Sequence, residues 1–249
     1  MNLLDSLTHF TLPDAIGVAL LLLAWVCSSW WIENPRLRNP SVTVLMQRYR
    51  QDWMHEYVTR SPRIFDATIL SSLRQGTTFF ASACMLTLGG GLALIGNPDR
   101  LTGVASDLAL SEAPAMVWEV KILLVLLFVA HAFLKFVWAH RLFGYCAVLM
   151  AAVPNDPGHP RAYPRAERAG HLNAYAAKSY NRALRSIYFA LGALGWLAGG
   201  WVLIVSACIT MTVIWRREFA SRSRAALLES ADAAEVAPGP GRDIPAQGN

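Results

Sequence analysis

The stretch VKILLVLLFVAHAFLKFVWAHRLFGY, Val120 to Tyr145, decides the fold class. Apart from Lys121, residues 120–130 are all apolar, and the whole stretch contains no Pro. About 20 consecutive apolar residues are enough for an α-helix to cross the hydrocarbon core of a bilayer. The stretch therefore predicts a membrane-spanning helix, which raises the question of why His131 and Lys135 lie on it.

The composition of the whole chain supports a membrane protein. Of its 249 residues, 54% are hydrophobic and only 16% are charged, whereas about 25% are charged in a typical soluble domain. The mean hydropathy is +0.33, and there are nine Trp, a residue concentrated at membrane interfaces. The net charge of +5 comes from basic residues beside apolar segments. We therefore expect the lipid bilayer as partner and no nucleic acid.

Four apolar windows predict four transmembrane helices in an all-α integral membrane bundle. They are Ala15 to Ile32, Thr77 to Ile95, Met116 to Val137, and Ile187 to Trp215. The first window is predicted to be an uncleaved anchor, because no basic residue precedes it and bulky Trp follows where a signal peptide has small residues.

Helices are also predicted outside the four windows, as long cytoplasmic extensions. Asn39 and Pro40 indicate the start of an amphipathic helix between spans one and two. Its apolar positions are Val42, Leu45, Met46, Tyr49, Trp53 and Tyr57. This helix could pack on the other helices or lie on the membrane surface. The third helix is expected to continue to Val153, and an Ala-rich helix from Arg165 is expected to run directly into span four. These elements form a helical membrane domain over residues 1–224, followed by a disordered tail over residues 225–249.

The distribution of Lys and Arg predicts the orientation. Seven such residues lie between spans one and two, seven between spans three and four, one between spans two and three, and none before span one. Cytoplasmic connections carry the basic excess, and four spans place both termini on one side. We therefore expect the bacterial inner membrane, with both termini outside the cytoplasm. The basic segment from Arg216 to Arg224 conflicts with this orientation, because it would face outward.

Polar residues near the cytoplasmic ends of the helices form a candidate polar cluster. The members are Asp66, Arg74, Gln75, His131, Lys135, His140, Arg141, Asn181 and Arg182. They could form a site that handles protons or a ligand, or simply join the helix ends by ion pairs. Lys135 is expected at the inner membrane boundary. One turn deeper, His131 is expected to bond to Thr77, Thr78 or Ser82, and Arg74 is expected to have a partner in the cluster.

The sequence indicates no cofactor, no metal and no catalytic motif. Only His131 lies within a predicted span, so a haem held by two His ligands is not expected. The four Cys residues fall one per long helix, without the close spacing of zinc sites. No P-loop, Gly-x-Ser-x-Gly or His-Glu-x-x-His motif occurs, so we expect a protein that is not an enzyme.

Small residues indicate where helices approach closely. They are Gly89, Gly90 and Gly91 in span two, and the G-x-x-x-G pair Gly195 and Gly199 in span four. Such residues let backbones pack together in membranes. The contact could lie within one bundle or between the subunits of a homo-oligomer.

Several longer stretches carry a family resemblance. They are RIFDATIL, TTFFASACMLTLGGGLALIG, HAFLKFVWAHRLFGYCAVLMAAVP, NRALRSIYFALGALGWL and WRREF. Together they resemble the DUF599 family of uncharacterised bacterial and plant membrane proteins, over roughly residues 15–220. The segment HRLFGY departs from the family pattern, in which a polar residue and Asn precede the Tyr. The resemblance implies a multi-span helical protein and carries over no activity.

Two function classes follow from these observations. We expect an accessory or interaction protein, whose partner is a further copy or another membrane protein. The alternative is a small-solute or ion transporter or channel that acts as an oligomer, because four helices enclose little pore. A continuous path of polar residues across the membrane would distinguish the second class from the first.

Overall fold

The computed structural model describes residues 9–34, 39–97, 103 and 114–236, with side chains up to Glu229. Within these residues the regular structure is entirely helical. The helices are α1 (Leu12–Ile32), α2 (Val42–Thr59), α3 (Ile64–Ile95), α4 (Ala115–Ala151), α5 (Ala162–Ala193), a 3-10 helix (Leu194–Ala198), α6 (Gly200–Phe219) and α7 (Arg222–Val236). The predicted all-α class is therefore confirmed.

Three helices, α1, α3 and α4, are long and apolar enough to cross a membrane. They contain the first three predicted spans. The 37 residues of α4 make a helix of about 55 Å at 1.5 Å per residue. This helix is much longer than the roughly 30 Å hydrocarbon core, as the unbroken pattern of the opening stretch predicts.

The fourth predicted span is divided into two antiparallel helices, so the prediction of one helix from Ile187 to Trp215 is wrong. After α5 and the 3-10 helix, Gly199 takes a φ of 123°, which favours glycine, and α6 begins at the next residue. Ser206 Oγ then donates to the Gly192 carbonyl at 2.7 Å. The apolar pattern missed the reversal because both arms of this hairpin are apolar, and only Gly199 marks the turn.

The hairpin places α6 beside α1, and the two helices start at the same end of the bundle. Trp196 Nε1 donates to Asp14 Oδ1 at 2.7 Å, and the backbones of Gly200 and Asp14 meet closely. We call the end of the bundle where α1 and α6 start the Asp14 end. At the opposite end, the Glu33 end, Ser41 Oγ donates to the Ile32 carbonyl at 2.7 Å. The core between the two ends includes the buried side chains of Leu21, Phe128, Phe136, Phe189 and Leu203.

A second core lies beyond the Glu33 end, among α2 and the adjoining parts of α3, α4 and α5. Its buried side chains include Met54, Val58, Phe143, Cys146 and Ala169. The α2 helix packs on α5, which was one of the two predicted arrangements.

The boundaries and the buried face of α2 differ from the prediction. The helix begins at Val42, and Ser41 caps it by accepting from the Val44 N–H at 3.2 Å, so Pro40 precedes the helix. The buried side chains of α2 are Thr43, Met54, Tyr57 and Val58. Tyr49 of the predicted stripe is exposed, because the partner α5 lies to one side of that stripe.

Helix α7, Arg222–Val236, occupies the first part of the segment that was predicted to be a disordered tail. The prediction for 225–249 is therefore wrong as far as Val236. Arg224 Nε of this helix donates to the Pro40 carbonyl at 3.1 Å. Residues 237–249 lie outside the described part of the chain.

Candidate functional site

A buried carboxylate, Glu33, organises the polar groups at the Glu33 end. It directly follows the last residue of α1, and its side chain is 6% exposed. Lys178 Nζ lies 3.0 Å from Glu33 Oε2, Arg182 Nε donates to Oε1 at 2.7 Å, and Arg185 donates to Oε1 at 2.5 Å. The three cations recur at helical spacing on α5, so one helix face supplies all of them.

The protonation of Glu33 follows from these contacts. Burial by itself would raise the pKa of the carboxyl, but the hydrogen bonds from Arg182 and Lys178 and the charge of Arg185 bring that pKa below its ordinary value of 4.5. Glu33 is therefore an anion at neutral pH. Since three cations face one carboxylate, the group keeps an excess of positive charge.

Arg185 is the most buried member of this group, with a side chain that is 4% exposed. One of its terminal nitrogens binds Glu33. Its Nε and Nη1 atoms have no hydrogen-bond acceptor among the described residues. Buried donors without an acceptor cost free energy. A further acceptor bound to these two nitrogen atoms of Arg185 would therefore stabilise the site.

A second carboxylate, Glu218 near the end of α6, lies between α2 and α5. It accepts from the backbone N–H of Thr43 at 3.2 Å and from Thr43 Oγ1 at 3.0 Å. Asn181 Nδ2 donates to the same hydroxyl at 3.4 Å. These bonds connect α2, α5 and α6 at one level of the molecule.

Two neighbouring cavities lie among these helices. The larger, of about 350 Å³, has polar lining residues Thr43, Gln47, Arg50, Lys178, Asn181, Arg217, Glu218, Ser221 and Ser223. The smaller, of about 100 Å³, reaches Arg185 and shares Asn181, Arg217 and Glu218 with the first. We call the larger one the α2–α5–α6 cavity. Both are lined by more cations than carboxylates.

Arg50 enters the α2–α5–α6 cavity from α2. It donates to Oδ1 of the buried Asn173, and no carboxylate among the described residues pairs with it. Burial lowers the pKa of this guanidinium, yet an arginine stays charged at physiological pH. Beneath it, burial raises the pKa of the Cys146 thiol to about 11, so that thiol is protonated and unreactive.

The residues of the candidate polar cluster do not come together in one place. Asp66 is buried at the start of α3, where Trp53 Nε1 and Arg60 donate to its Oδ1 at 2.6 and 2.5 Å. Arg74 and Gln75 are exposed, and Arg74 forms no ion pair among the described residues. The expected charged partner of Arg74 is therefore absent from this part of the chain. Arg74 lines a cavity with Ala147, Met150 and Ala151 of α4, and these residues carry no charge.

His131 and His140 lie on opposite faces of α4, because nine residues correspond to two and a half turns. His131 faces α1 and α5: its Nδ1 lies 2.7 Å from Ser186 Oγ, and its ring meets that of Trp25 edge-on at 4.9 Å. The expected bond to α3 is thus wrong. His140 makes it instead, with its Nδ1 at 3.2 Å from Thr77 Oγ1 and 3.3 Å from Thr78 Oγ1.

Of the remaining predicted site residues, two belong to the group around Glu33 and Glu218. These are Asn181 and Arg182, whereas Arg141 donates to its own neighbour Tyr145 at 2.6 Å. Lys135 is half-buried on α4; its place at a membrane boundary stays a prediction.

The sequence prediction missed six charged members of the site, one of which, Arg217, lines both cavities. The six are Glu33, Arg50, Lys178, Arg185, Arg217 and Glu218. One signal was present: Lys178, Arg182 and Arg185 share a helix face, and Glu33 is the first carboxylate after span one.

The predicted packing glycines divide into three kinds. A Cβ on Gly91 would lie 2.5 Å from Leu126, and a Cβ on Gly195 would lie 2.5 Å from Ser206 Oγ, so both mark close contacts within the chain. Gly199 forms the turn between the 3-10 helix and α6, so it is not part of a helical G-x-x-x-G face. A Cβ on Gly89 or Gly90 would meet nothing within 4 Å.

Comparison with known proteins gives a family and no activity. No curated protein and no solved structure matches the chain. One family model, described as a protein of unknown function, matches residues 16–223. The match runs from the first turns of α1 into the start of α7 and includes every residue described above for the two cavities. The chain therefore belongs to the uncharacterised DUF599 family.

Proposed function

We propose that the protein crosses the bacterial inner membrane five times, through α1, α3, α4, the last part of α5 with the 3-10 helix, and α6. The observation that supports this count is the antiparallel hairpin after Ala193. Its second arm, α6, has 20 residues, which is about 30 Å. It begins beside Asp14 and ends beside Thr43, at the same two levels as α1.

Five crossings bring the basic residues to one side. Arg216, Arg217, Arg222 and Arg224 then lie at the Glu33 end, together with the two connections that hold seven Lys and Arg residues each. By the positive-inside rule this end is cytoplasmic. The amino terminus is then outside and the carboxyl terminus inside, which replaces the earlier expectation for the carboxyl terminus and removes its conflict with the charges.

A topology reporter tests this arrangement. An enzyme that is active only outside the cytoplasm is fused at Gly103, near Gly158, or after Gln247. We expect activity at Gly103 only. Activity after Gln247 would indicate an even number of crossings. Activity near Gly158 would indicate that the Glu33 end lies outside the cytoplasm.

For the biochemical role, we propose an accessory or interaction protein without enzymatic activity. The observation that carries this proposal is the folded extension at the Glu33 end, which has its own core and presents the α2–α5–α6 cavity. A bundle that merely crossed the membrane would need no such extension. Exposed side chains such as Tyr163 and Tyr175 on α5 offer this extension a contact surface for a membrane partner or a second copy.

Site-specific photo-crosslinking in intact cells tests the interaction. A photoreactive residue replaces Tyr175, and the control position is Tyr145, an exposed aromatic residue on α4. We expect one adduct of defined mass from position 175, identified by mass spectrometry as a membrane protein or a second copy. Equal adduct patterns from the two positions, or none from position 175, would contradict an interaction through this surface.

A transporter or channel is the second candidate, because polar groups lie at three depths between α1, α4 and α5. Asp14 and Trp196 bond at one end, His131 and Ser186 in the middle, and Glu33 and Arg185 at the other end. The buried apolar side chains of Leu21 and Phe189 also lie in this core, so a path would require an oligomer or a rearrangement. Flux of ions or solutes into vesicles containing the purified protein, abolished by His131→Leu, would favour this candidate.

A further inference from the structure

We infer that the α2–α5–α6 cavity binds a ligand that carries a phosphate group, with the guanidinium groups of Arg50 and Arg217 as its charged partners. Guanidinium groups match phosphate oxygens with paired, charge-assisted hydrogen bonds. The proposal names a ligand class for the cavity and does not depend on the identity of any protein partner.

The charges lining the cavity are not neutralised by one another. Lys178 is already paired with Glu33, and Glu218 is held by the N–H and the hydroxyl of Thr43. Arg50 and Arg217 bind only neutral groups, the amide of Asn173 and the hydroxyl of Tyr188. Two guanidinium charges therefore face one cavity, and no carboxylate among the described residues forms an ion pair with either of them.

Arg185 provides a second, independent observation. It is almost fully buried, and two of its nitrogen atoms have no acceptor among the described residues. The smaller cavity that it lines adjoins the larger one through Asn181, Arg217 and Glu218. An oxygen-rich anion entering from the larger cavity would provide the acceptors that Arg185 lacks, and this would recover the free energy lost by leaving them unbonded.

The size of the cavity indicates a ligand larger than a phosphate ion. Its volume of about 350 Å³ falls within the range of about 300 to 1,000 Å³ found for small-molecule sites. Gln47 and Ser223 line it as neutral polar groups, and Val42 and Met46 add apolar surface. These residues suit an organic group attached to the phosphate.

Aromatic rings place the cavity at the depth of lipid headgroups. The Phe219 ring lies 6.0 Å from that of Trp31 and 6.5 Å from that of Trp215, and Phe219 directly follows Glu218. Such rings gather at the membrane interface. The headgroup of an anionic phospholipid is thus one source of the phosphate, and a soluble phosphate compound is the other. Only this lipid source rests on the membrane placement proposed above.

The test uses the full chain, purified in an uncharged detergent. Its dissociation constants are measured for dihexanoyl phosphatidylglycerol, for glycerol phosphate, and for dihexanoyl glycerol, which lacks the phosphate. The variant Arg217→Gln is compared with Arg216→Gln, because both residues are exposed neighbours on α6 and only Arg217 lines the cavity. A second pair on α2 is Arg50→Gln with the exposed Arg48→Gln as its control.

We expect at least one phosphate probe to bind the unmodified protein more tightly than dihexanoyl glycerol. Loss of a charged hydrogen bond costs about tenfold in affinity or more. Arg217→Gln should show this loss, and Arg216→Gln should not. Tight binding of the lipid alone identifies a headgroup site, and tight binding of glycerol phosphate identifies a soluble ligand.

Three results would overturn the proposal: equal affinities of the Arg217 and Arg216 variants, equal binding of the probe without phosphate, or no binding of either phosphate probe. If Arg50→Gln fails to fold, as shown by gel filtration, the exposed pair on α6 decides alone. The topology reporter does not depend on any of these affinities, so a failure of this site and a failure of the membrane arrangement are distinguishable.

Discussion

At the scale of single residues, the Glu33 carboxylate offsets the mutual repulsion of three neighbouring cations. Lys178, Arg182 and Arg185 lie on one face of α5 and would repel each other without it. Arg185 in particular is buried, and charged groups are buried in proteins only when they are paired. The carboxylate therefore joins the end of α1 to the middle of α5, and its loss would leave a buried guanidinium without a counter-charge.

The variant Glu33→Gln should accordingly lower stability strongly. Breaking a buried ion pair by removing one partner costs about 3–5 kcal/mol, and we expect a clear drop in the melting temperature of the detergent-solubilised protein. The matched control is Glu167→Gln near the start of α5, whose side chain is 70% exposed beside His171. An exposed pair contributes about 0–1 kcal/mol. Similar melting temperatures for the two variants would contradict the role assigned to Glu33.

The lowered pKa of Glu33 also predicts how stability depends on pH. A carboxyl group whose pKa is lowered on folding stabilises the native state above its ordinary value of 4.5, and this contribution is lost as the pH falls through the lower, folded value. The difference in melting temperature between the unmodified protein and Glu33→Gln should thus stay constant from about pH 8 to pH 5.5. It should shrink below about pH 4. A difference in melting temperature that grows on acidification would contradict a lowered pKa of Glu33 in the folded protein.

At the scale of helices, the turn between α5 and α6 is the feature that the apolar pattern concealed. Glycines on both arms allow the helices to approach closely. Gly192 and Gly195 contact α6, and Gly200 contacts the backbone of α1 at Pro13 and Asp14. Within a membrane such contacts are stabilised by packing, since lipid provides no hydrophobic driving force between helices. The hairpin therefore depends on the absence of side chains at these positions.

The variant Gly200→Ala tests this dependence. Its Cβ would lie 2.7 Å from the Asp14 backbone nitrogen, and overpacking of this kind costs about 1–3 kcal/mol. The control is Gly90→Ala on α3, where a Cβ meets nothing within 4 Å. We expect Gly200→Ala to have a lower melting temperature than the unmodified protein, and Gly90→Ala to show no such decrease. Helix separation can be followed by a disulfide engineered between α1 and α6, which should form less readily in Gly200→Ala.

At the scale of the whole molecule, the two large cores among the described residues lie in different surroundings. The first, around Phe128 and Leu203, lies among the apolar helices, whereas the second, around Met54 and Phe143, lies beyond the Glu33 end. If the Glu33 end is cytoplasmic, the hydrophobic effect stabilises only the second core, because apolar side chains of the first core leave lipid and not water when they are buried. The helices α4 and α5 are shared by both cores and connect them.

This separation predicts a local effect for Met54→Ala. Truncating a fully buried Met costs about 2–5 kcal/mol, and the loss should fall on α2, which packs chiefly on α5. Hydrogen exchange measured by mass spectrometry should become faster in peptides of α2 and stay unchanged in peptides of α6. Faster exchange throughout the chain would show instead that the two cores unfold as one cooperative unit.

The sequence by itself determined the helical class, three helices apolar and long enough to cross a membrane, and the excess length of α4, because these follow from apolar runs and from the spacing of Pro. It also determined the family, which the matching model confirms. A local pattern suffices for these features, since each depends only on neighbours in the chain.

Only the tertiary structure decided the reversal after Ala193 and the composition of the polar site. Glu33 and Arg185 are 152 residues apart in the sequence. His131 contacts Ser186 and not Thr77 because the rotation of α4 between α3 and α5 turns its side chain towards α5. No local pattern contains such a rotation. A polar side chain's partner is set by which helix it faces, and that choice is made by the packing of the whole bundle.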